Sequence, residues 1–403
     1  MSKLKLSIMS ATPEPPQALA SALQEFEAQS GIQVQIQTLP WETAWAELVK
    51  VALYKTGPDV SEVGNTWIES FIAMDALRPF LDSETATMGG PDAFLPSSWK
   101  SGFTLGGRQM WAIPWMSDTR VIYYRRDLLQ QAGIDEQTAF QTPEQLARTL
   151  QRLQESGVAI PWVMPTAQTL PTLHAVTSWV WGAGGHFTSA DGKRVVFDEP
   201  KALAGMYAYF SLHRYLAPAA RNLNDYQANA LFREGKAAAL LSGPWVLNSI
   251  QQQAAAAEVI EHLGTAFVPG VPYVGGSNFI IWKHSRRVRE ALELLHFLTS
   301  YQVQTTYVPQ AGLLPARLEA LALPPFTTEP PYQVISESLK KGRGIQAVYM
   351  WGLIEDGLTA MLNKLWKALF ADPGLDLEQV VAEHMRTLAH SLNRTLFESY
   401  QET

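Results

Sequence analysis

The 403-residue chain contains no cysteine. That excludes disulfides and cysteine-ligated metal, and it leaves the redox compartment open. It also has no apolar run near the roughly 20 residues a membrane-spanning helix needs. Positive charge is not in excess: 31 Lys and Arg face 38 Asp and Glu, for a formal net charge of −7 and a pI of about 5.7. A nucleic-acid partner, which needs clustered Lys and Arg, is therefore not expected. The eight His show no HExxH or other zinc spacing. There is no Gly-x-Ser-x-Gly elbow, P-loop or Rossmann fingerprint, no internal repeat and no low-complexity tract. No metal or redox cofactor is implied. No signal-peptide pattern opens the sequence, so a cytoplasmic protein and one whose export signal was removed both stay open at this point.

What is present is a globular balance, 47% hydrophobic and 17% charged. The length exceeds one ordinary core and favours two lobes. The 13 Trp are unusual. They fit a Trp-rich core, and they fit stacking platforms, because sugar rings present apolar C–H faces to an aromatic face.

The pattern along the chain is α/β. Leu4–Met9 alternates as a half-buried strand does; Leu19, Leu23 and Phe26 share a helical face stopped by Gly31; Ile32, Val34 and Ile36 alternate again. That is a βαβ unit, which implies a parallel sheet. A helix is predicted from Trp41 to Lys55, a strand at Asp59–Val63, a helix from Thr66 to Ala73 and a surface loop over 82–98. Further strands are predicted at Trp111–Pro114, Val121–Tyr124, Ala237–Leu241 and Phe279–Trp282. Thr142-Pro143-Glu144-Gln145 reads as a capping box opening a helix. The last 70 or so residues read as helices at Pro331–Leu339, Tyr349–Leu369 and Asp376–Tyr400. Pro114–Arg120 and Gly264–Gly276 are the predicted crossings between lobes. These place discontinuous domains at 1–116 plus 266–316 and at 117–265 plus 317–403. Ligands in such folds bind at strand C-terminal ends and between domains.

Six segments, in order, resemble the family 1 extracellular solute-binding proteins of ABC importers, a group that includes maltose- and other oligosaccharide-binding proteins. They are Gly57-Pro58-Asp59-Val60 with Trp67 and Leu77–Phe80; Gly106–Pro114 with Val121–Leu129 and Gly133; Thr142–Leu146; Phe232–Ala239 with Ser242-Gly243-Pro244-Trp245; Gly275-Gly276 with the Arg289–Ser300 helix; and Gly312–Arg317. The resemblance implies a two-lobe periplasmic-binding-protein-like fold with a ligand cleft between the lobes. It implies a non-enzymatic, monomeric carrier that captures a carbohydrate, a di- or oligosaccharide, by hinge closure and delivers it to the permease of an ABC transporter. It also implies an extracytoplasmic location, periplasmic or lipid-anchored, and an export signal whose absence from this sequence reads as truncation.

The strongest candidate is Trp245. Pro244 suits the first turn of a helix and Gly243 allows close backbone approach, which would set Trp245 at the mouth of a cleft. The similar family position often stacks a sugar ring; the plainer reading is a core Trp at a strand–helix corner. Gly276 and Ser277 precede a predicted strand, where backbone N–H groups can approach a hydroxyl, or where the chain simply turns. Trp41 and Glu42 follow the second strand, and Asn65 and Trp67 the third, at strand C-terminal ends. Against this, Glu42 suits any helix first turn, and Asn65 or Thr66 any N-cap. Trp115 and Asp118 lie in the first predicted crossing, where Asp118 either binds a hydroxyl or pairs with Arg120 or Arg125. Of Trp179 and Trp181, at most one reaches ligand, and Trp181 is retained; Trp351 is the candidate from the last helices.

A glycoside hydrolase needs two carboxylates about 5 to 9 Å apart, and no acid pair marks itself. A polyamine carrier needs clustered acids, which are few here. A phosphate-ester carrier needs a basic pocket, which Arg108, Arg120 and Arg343 supply only if they converge.

Overall fold

Leu4, Leu6 and Ile8 recur at every second position and are fully buried, which makes Leu4–Met9 a strand. Its other face is covered too, since Ser7 donates to Ser61 Oγ at 2.6 Å. The strand is therefore buried on both faces rather than on one, as befits a central position in a mixed sheet. A computed structural model gives this structure, which describes residues 3–10, 12–167, 170–251, 257–310 and 312–402. Among the described residues the strands are β1 (Leu4–Met9), β2 (Val34–Leu39), β3 (Val60–Gly64), β4 (Leu77–Arg78), β5 (Ile113–Thr119), β6 (Val121–Arg125), β7 (Ala239–Ser242), β8 (Leu263–Phe267), β9 (Val274–Trp282) and β10 (Leu314–Pro315).

The chain forms two units. Unit 1 comprises Met1–Asp118, Val274–Thr327 and Gly344–Gly352; unit 2 comprises Thr119–Tyr273, Thr328–Arg343 and Leu353–Thr403. Residues 317–327 and 344–352, assigned from sequence to the second lobe, pack with unit 1. Pro114–Thr119 belongs to β5, and the chain passes from unit 1 to unit 2 within the predicted crossing, at 118–119.

Unit 1 carries one mixed sheet in the order β10-β5-β9-β3-β1-β2, with β4 beside β9. β1 is parallel to β2 and β3, joined through the helix Gln17–Ser30, so the βαβ unit is present. Gly31 ends that helix at φ 72, its N–H donating to Glu27 O at 2.9 Å. β9 runs antiparallel to β3, pairing Glu62 with Phe279 and Gly64 with Ser277. Alternation along β9 feeds two cores: Phe279 and Ile281 pack with Leu19, Phe26 and Leu295, while Ile280 and Trp282 pack with Leu48, Phe71 and Trp67. Residues 82–98, read from sequence as loop, include short helices at Asp82–Thr87 and Pro96–Lys100. The first begins where Glu84 accepts from Leu81 N at 2.8 Å and from Arg78 Nη2 at 2.7 Å.

Unit 2 carries the antiparallel sheet β7-β6-β8, with Tyr123 paired to Leu240 and Thr265. β8 occupies part of the stretch read from sequence as a crossing. Helices surround it: Pro143–Glu155, whose cap Thr142 Oγ1 accepts from Gln145 N at 3.2 Å, then Leu170–Gly182, Pro200–Phe210, Asp225–Arg233, Pro330–Lys341 and Leu377–Glu402. The helix Trp351–Ala371 starts in unit 1 and continues in unit 2. Gly205 allows two of these helices to touch, since a Cβ there would lie 2.5 Å from Trp179 O. No helix among the described residues is long and apolar enough to cross a membrane.

Candidate functional site

Most of the tryptophans are core. Trp162, Trp179, Trp282, Trp351 and Trp366 are among the largest fully buried side chains. Trp115 joins them at 2% exposure, 4.9 Å from the Phe279 ring. The candidates Trp115 and Trp351 are thus both buried side chains. Trp115 sits on β5 facing the sheet's core, and Trp351 is 1% exposed.

In unit 1 the ends of β2, β3 and β9 gather the other candidates. Trp41 opens the helix Trp41–Tyr54 and is 43% exposed; its ring meets Trp67 edge-on at 5.8 Å. Trp67 is 6% exposed, flanked by Trp45 at 5.6 Å and seated against Gly64. Asn65 is buried, and its backbone N–H donates to Gly276 O at 3.2 Å. It is not the cap of the next helix, which begins after Trp67. Glu42 is exposed in the first turn of its helix, where the helix dipole favours an acid.

Gly276 and Ser277 lie inside β9 rather than ahead of it. Gly276 has φ 136, and a Cβ there would fall 2.0 Å from Met116 O, so the glycine admits the neighbouring strand. The Ser277 hydroxyl donates to Glu62 Oε1 at 2.5 Å, and Met9 N donates to Glu62 Oε2 at 2.8 Å. Burial raises the Glu62 carboxyl to about 7 despite these two bonds. Ser277 thus serves a buried acid. Asp118 ends the unit-1 portion of β5 and is half-buried.

Unit 2 builds a second aromatic cluster, in which Trp245 is half-buried and Tyr273 fully buried. Trp245 opens the helix Trp245–Gln251 just after β7 and is half-buried. Its indole Nε1–H donates to Asp225 Oδ2 at 2.9 Å. Gly243 seats the ring: a Cβ there would come within 2.1 Å of it. Tyr123 OH fixes Gly243 by donating to its carbonyl at 2.9 Å. The Arg120 guanidinium carbon lies 4.9 Å from the Trp245 ring centre and 5.8 Å from that of Tyr273. Arg120 Nη1 donates to Thr119 O at 3.1 Å, and Nη2 lies 3.1 Å from His174 Nδ1. Desolvation, reinforced by Arg120, holds the His174 pKa well below the usual histidine range. The neutral ring accepts at Nδ1, which places its proton on Nε2.

His174 stacks on Tyr273 at 4.4 Å, and Trp181 stacks on Tyr273 from 6.5 Å. Trp181 is 6% exposed, with the Arg343 guanidinium 4.6 Å from its ring. Desolvation lowers the Arg343 pKa. Of the three arginines named from sequence, Arg120 lies over Tyr273, while the Arg343 guanidinium lies over Trp181 and its backbone bridges Tyr273. Arg108 is exposed on unit 1.

Sequence reasoning missed Asp225, His174 and Tyr273. Asp225 follows the cap Asn224, whose reciprocal bonds with Gln227 are the one local signal there. Its approach to Trp245, 20 residues on, is tertiary. Burial raises the Asp225 carboxyl pKa, while Arg120 and the bonds from Asn229, Trp245 and Ser242 oppose that shift.

Residues 10–305 match the family described as bacterial extracellular solute-binding protein. Among curated relatives, the diacetylchitobiose binding protein DasA of Streptomyces coelicolor is 23% identical over 312 residues, covering 75% of this chain and 70% of its own. An ABC transporter solute binding protein from Thermotoga lettingae, solved with alpha-D-tagatose, superposes with a TM-score of 0.84 at 20% identity, covering 98% and 100% of the two chains. The sugar-binding protein MalE from Xanthomonas citri gives 0.81 at 21% identity, covering 99% and 98%. These likenesses establish the fold, the two-lobe α/β fold of periplasmic binding proteins.

Proposed function

Because the chain belongs to the bacterial extracellular solute-binding proteins, we propose that it captures a carbohydrate, of di- or oligosaccharide size, and delivers it to the permease of an ABC transporter. The observation that carries the reading is Trp245. Its indole N–H is spent on Asp225 and the side chain is half-buried, so it combines an apolar ring with polar neighbours, as a sugar's C–H face and hydroxyls require. Trp41 on unit 1 offers a second exposed ring with its edge partner Trp67. That relatives include a diacetylchitobiose binder and a structure bound to tagatose supports the same ligand class.

Capture proceeds by ligand binding and closure. A closed state is favoured only to the extent that the ligand binds it more tightly than the open one. The protein works as a monomer outside the cytoplasm, free in a periplasm or tethered by a lipid. It is a binder and leaves its sugar intact.

One observation favours a second reading, an anionic sugar or phosphate ester: unit 2 sets two guanidinium groups against its aromatic cluster, Arg120 over Trp245 and Tyr273 and Arg343 over Trp181. Both readings are tested by thermal unfolding with maltose, maltotriose, tagatose, diacetylchitobiose, sugar phosphates and polyamines, because a ligand of the native state raises the melting temperature. A rise confined to neutral saccharides supports the first reading. A rise confined to sugar phosphates supports the second. Sugar consumed during incubation refutes a pure binder.

A further inference from the structure

We propose that Asp225 uses its two carboxylate oxygens for two tasks: Oδ2 fixes the indole of Trp245, and Oδ1 accepts a hydroxyl of the ligand stacked on that ring. The proposal rests on the carbohydrate reading and names a contact within it.

The assignment follows from counting donors. Oδ2 accepts from Trp245 Nε1 at 2.9 Å and from Asn229 Nδ2 at 3.0 Å, which fills its two lone pairs. Around Oδ1 the one neighbouring donor among the described residues is Ser242 Oγ at 3.5 Å. Ser242 has a single hydroxyl proton, and its oxygen lies 2.7 Å from Asn229 Oδ1. The amide nitrogen of Asn229 donates to Asp225, so the atom facing Ser242 is the amide oxygen, which can only accept. The shorter bond takes the Ser242 proton to Asn229, which leaves Oδ1 of Asp225 with only the long 3.5 Å contact to Ser242. A desolvated carboxylate oxygen with so weak a donor is costly, and burial is the first cause of the upward shift of this acid.

The position suits a ligand. Asp225 is the first residue of the helix Asp225–Arg233, where the helix dipole favours a carboxylate. Its bond to Nε1 sets the carboxyl at the edge of the Trp245 ring, where a pyranose lying on the ring presents equatorial hydroxyls. Arg120, 4.9 Å from the same ring, adds positive charge, so a neutral hydroxyl fits Oδ1 better than an ammonium does. The ligand class is a polyol with an apolar face and a hydroxyl at its rim.

The test uses the whole chain labelled with 5-fluorotryptophan, with Trp245 assigned through W245F, and calorimetric titration with maltose and diacetylchitobiose as probes. D225A should displace the Trp245 fluorine resonance and weaken the bound saccharide about 10- to 100-fold, the scale of a hydrogen bond to a charged group. D225N should hold the resonance near its wild-type place, because the amide oxygen still accepts from Nε1, and should weaken binding less. D225A with an unmoved resonance, or with affinity within twofold of wild type, overturns the proposal. Where D225A does not fold, D225N decides, and unchanged affinity in that variant overturns the ligand contact. A wild type that takes neither saccharide counts against the carbohydrate reading, and Asp225 is then judged by the fluorine resonance alone.

Discussion

An indole that is half in water must settle its N–H before its faces are of use, and Trp245 does so through Asp225. Replacing Trp245 with Ala removes the platform and should cost about 1 to 3 kcal/mol of saccharide binding, read by calorimetry on a folded variant. Unchanged affinity would remove Trp245 from the site. Glu62 is an acid whose charge the fold opposes: it is 1% exposed and forms no ion pair among the described residues. Its folded pKa of about 7 lies above the ordinary 4.5. Between those values the unfolded chain releases a proton that the folded chain keeps, so stability is full below about pH 4.5 and falls as pH rises through 7. E62Q should flatten this loss and gain on the order of 3 kcal/mol over wild type at pH 8. Denaturant unfolding of both proteins from pH 4.5 to 8 checks it; parallel curves would show that Glu62 is not the titrating group.

Among the elements, β9 shows where sequence patterns succeed and where they stop. Phe279–Trp282 was legible because four large apolar residues in a row mark a buried strand. The same strand's first residues, Val274–Asn278, were not, because glycines, a serine and an asparagine carry no strand propensity of their own. Pairing with β3 decides for them, Gly64 against Ser277 and Val63 against Asn278. Gly276 then meets the backbone of Met116, which no local pattern announces. G276A should destabilise unit 1 by about 2 kcal/mol or more, through both φ 136 and the collision with Met116 O. A melting temperature equal to wild type would contradict that account. The βαβ unit, the Trp41 helix and the Thr142 cap were legible for the opposite reason: each is written in residues within one turn or one strand of each other. Of the candidate residues, Trp41, Asn65, Trp67 and Trp245 could be picked from sequence because they follow strands. Asp225, His174 and Tyr273 could not, since they come beside Trp245 and Arg120 only by packing across unit 2.

At the scale of the molecule, the chain passes between its units at 118–119, 273–274, 327–328, 343–344 and 352–353. If these passages act as hinges, saturating ligand should reduce the radius of gyration in solution scattering, and W245A should need a ligand concentration raised in proportion to its weaker affinity to show the same reduction. An unchanged radius with ligand bound would assign capture to a rigid surface instead. The central claim, that a bacterial extracellular solute-binding protein with this aromatic cluster carries a carbohydrate, is tested most directly by calorimetric titration of the wild type with the saccharide panel, followed by recovery of the sugar. The account predicts saturable one-to-one binding of one saccharide class, with the sugar recovered intact. Absence of heat with every saccharide, alongside saturable binding of a sugar phosphate or a polyamine, would contradict it.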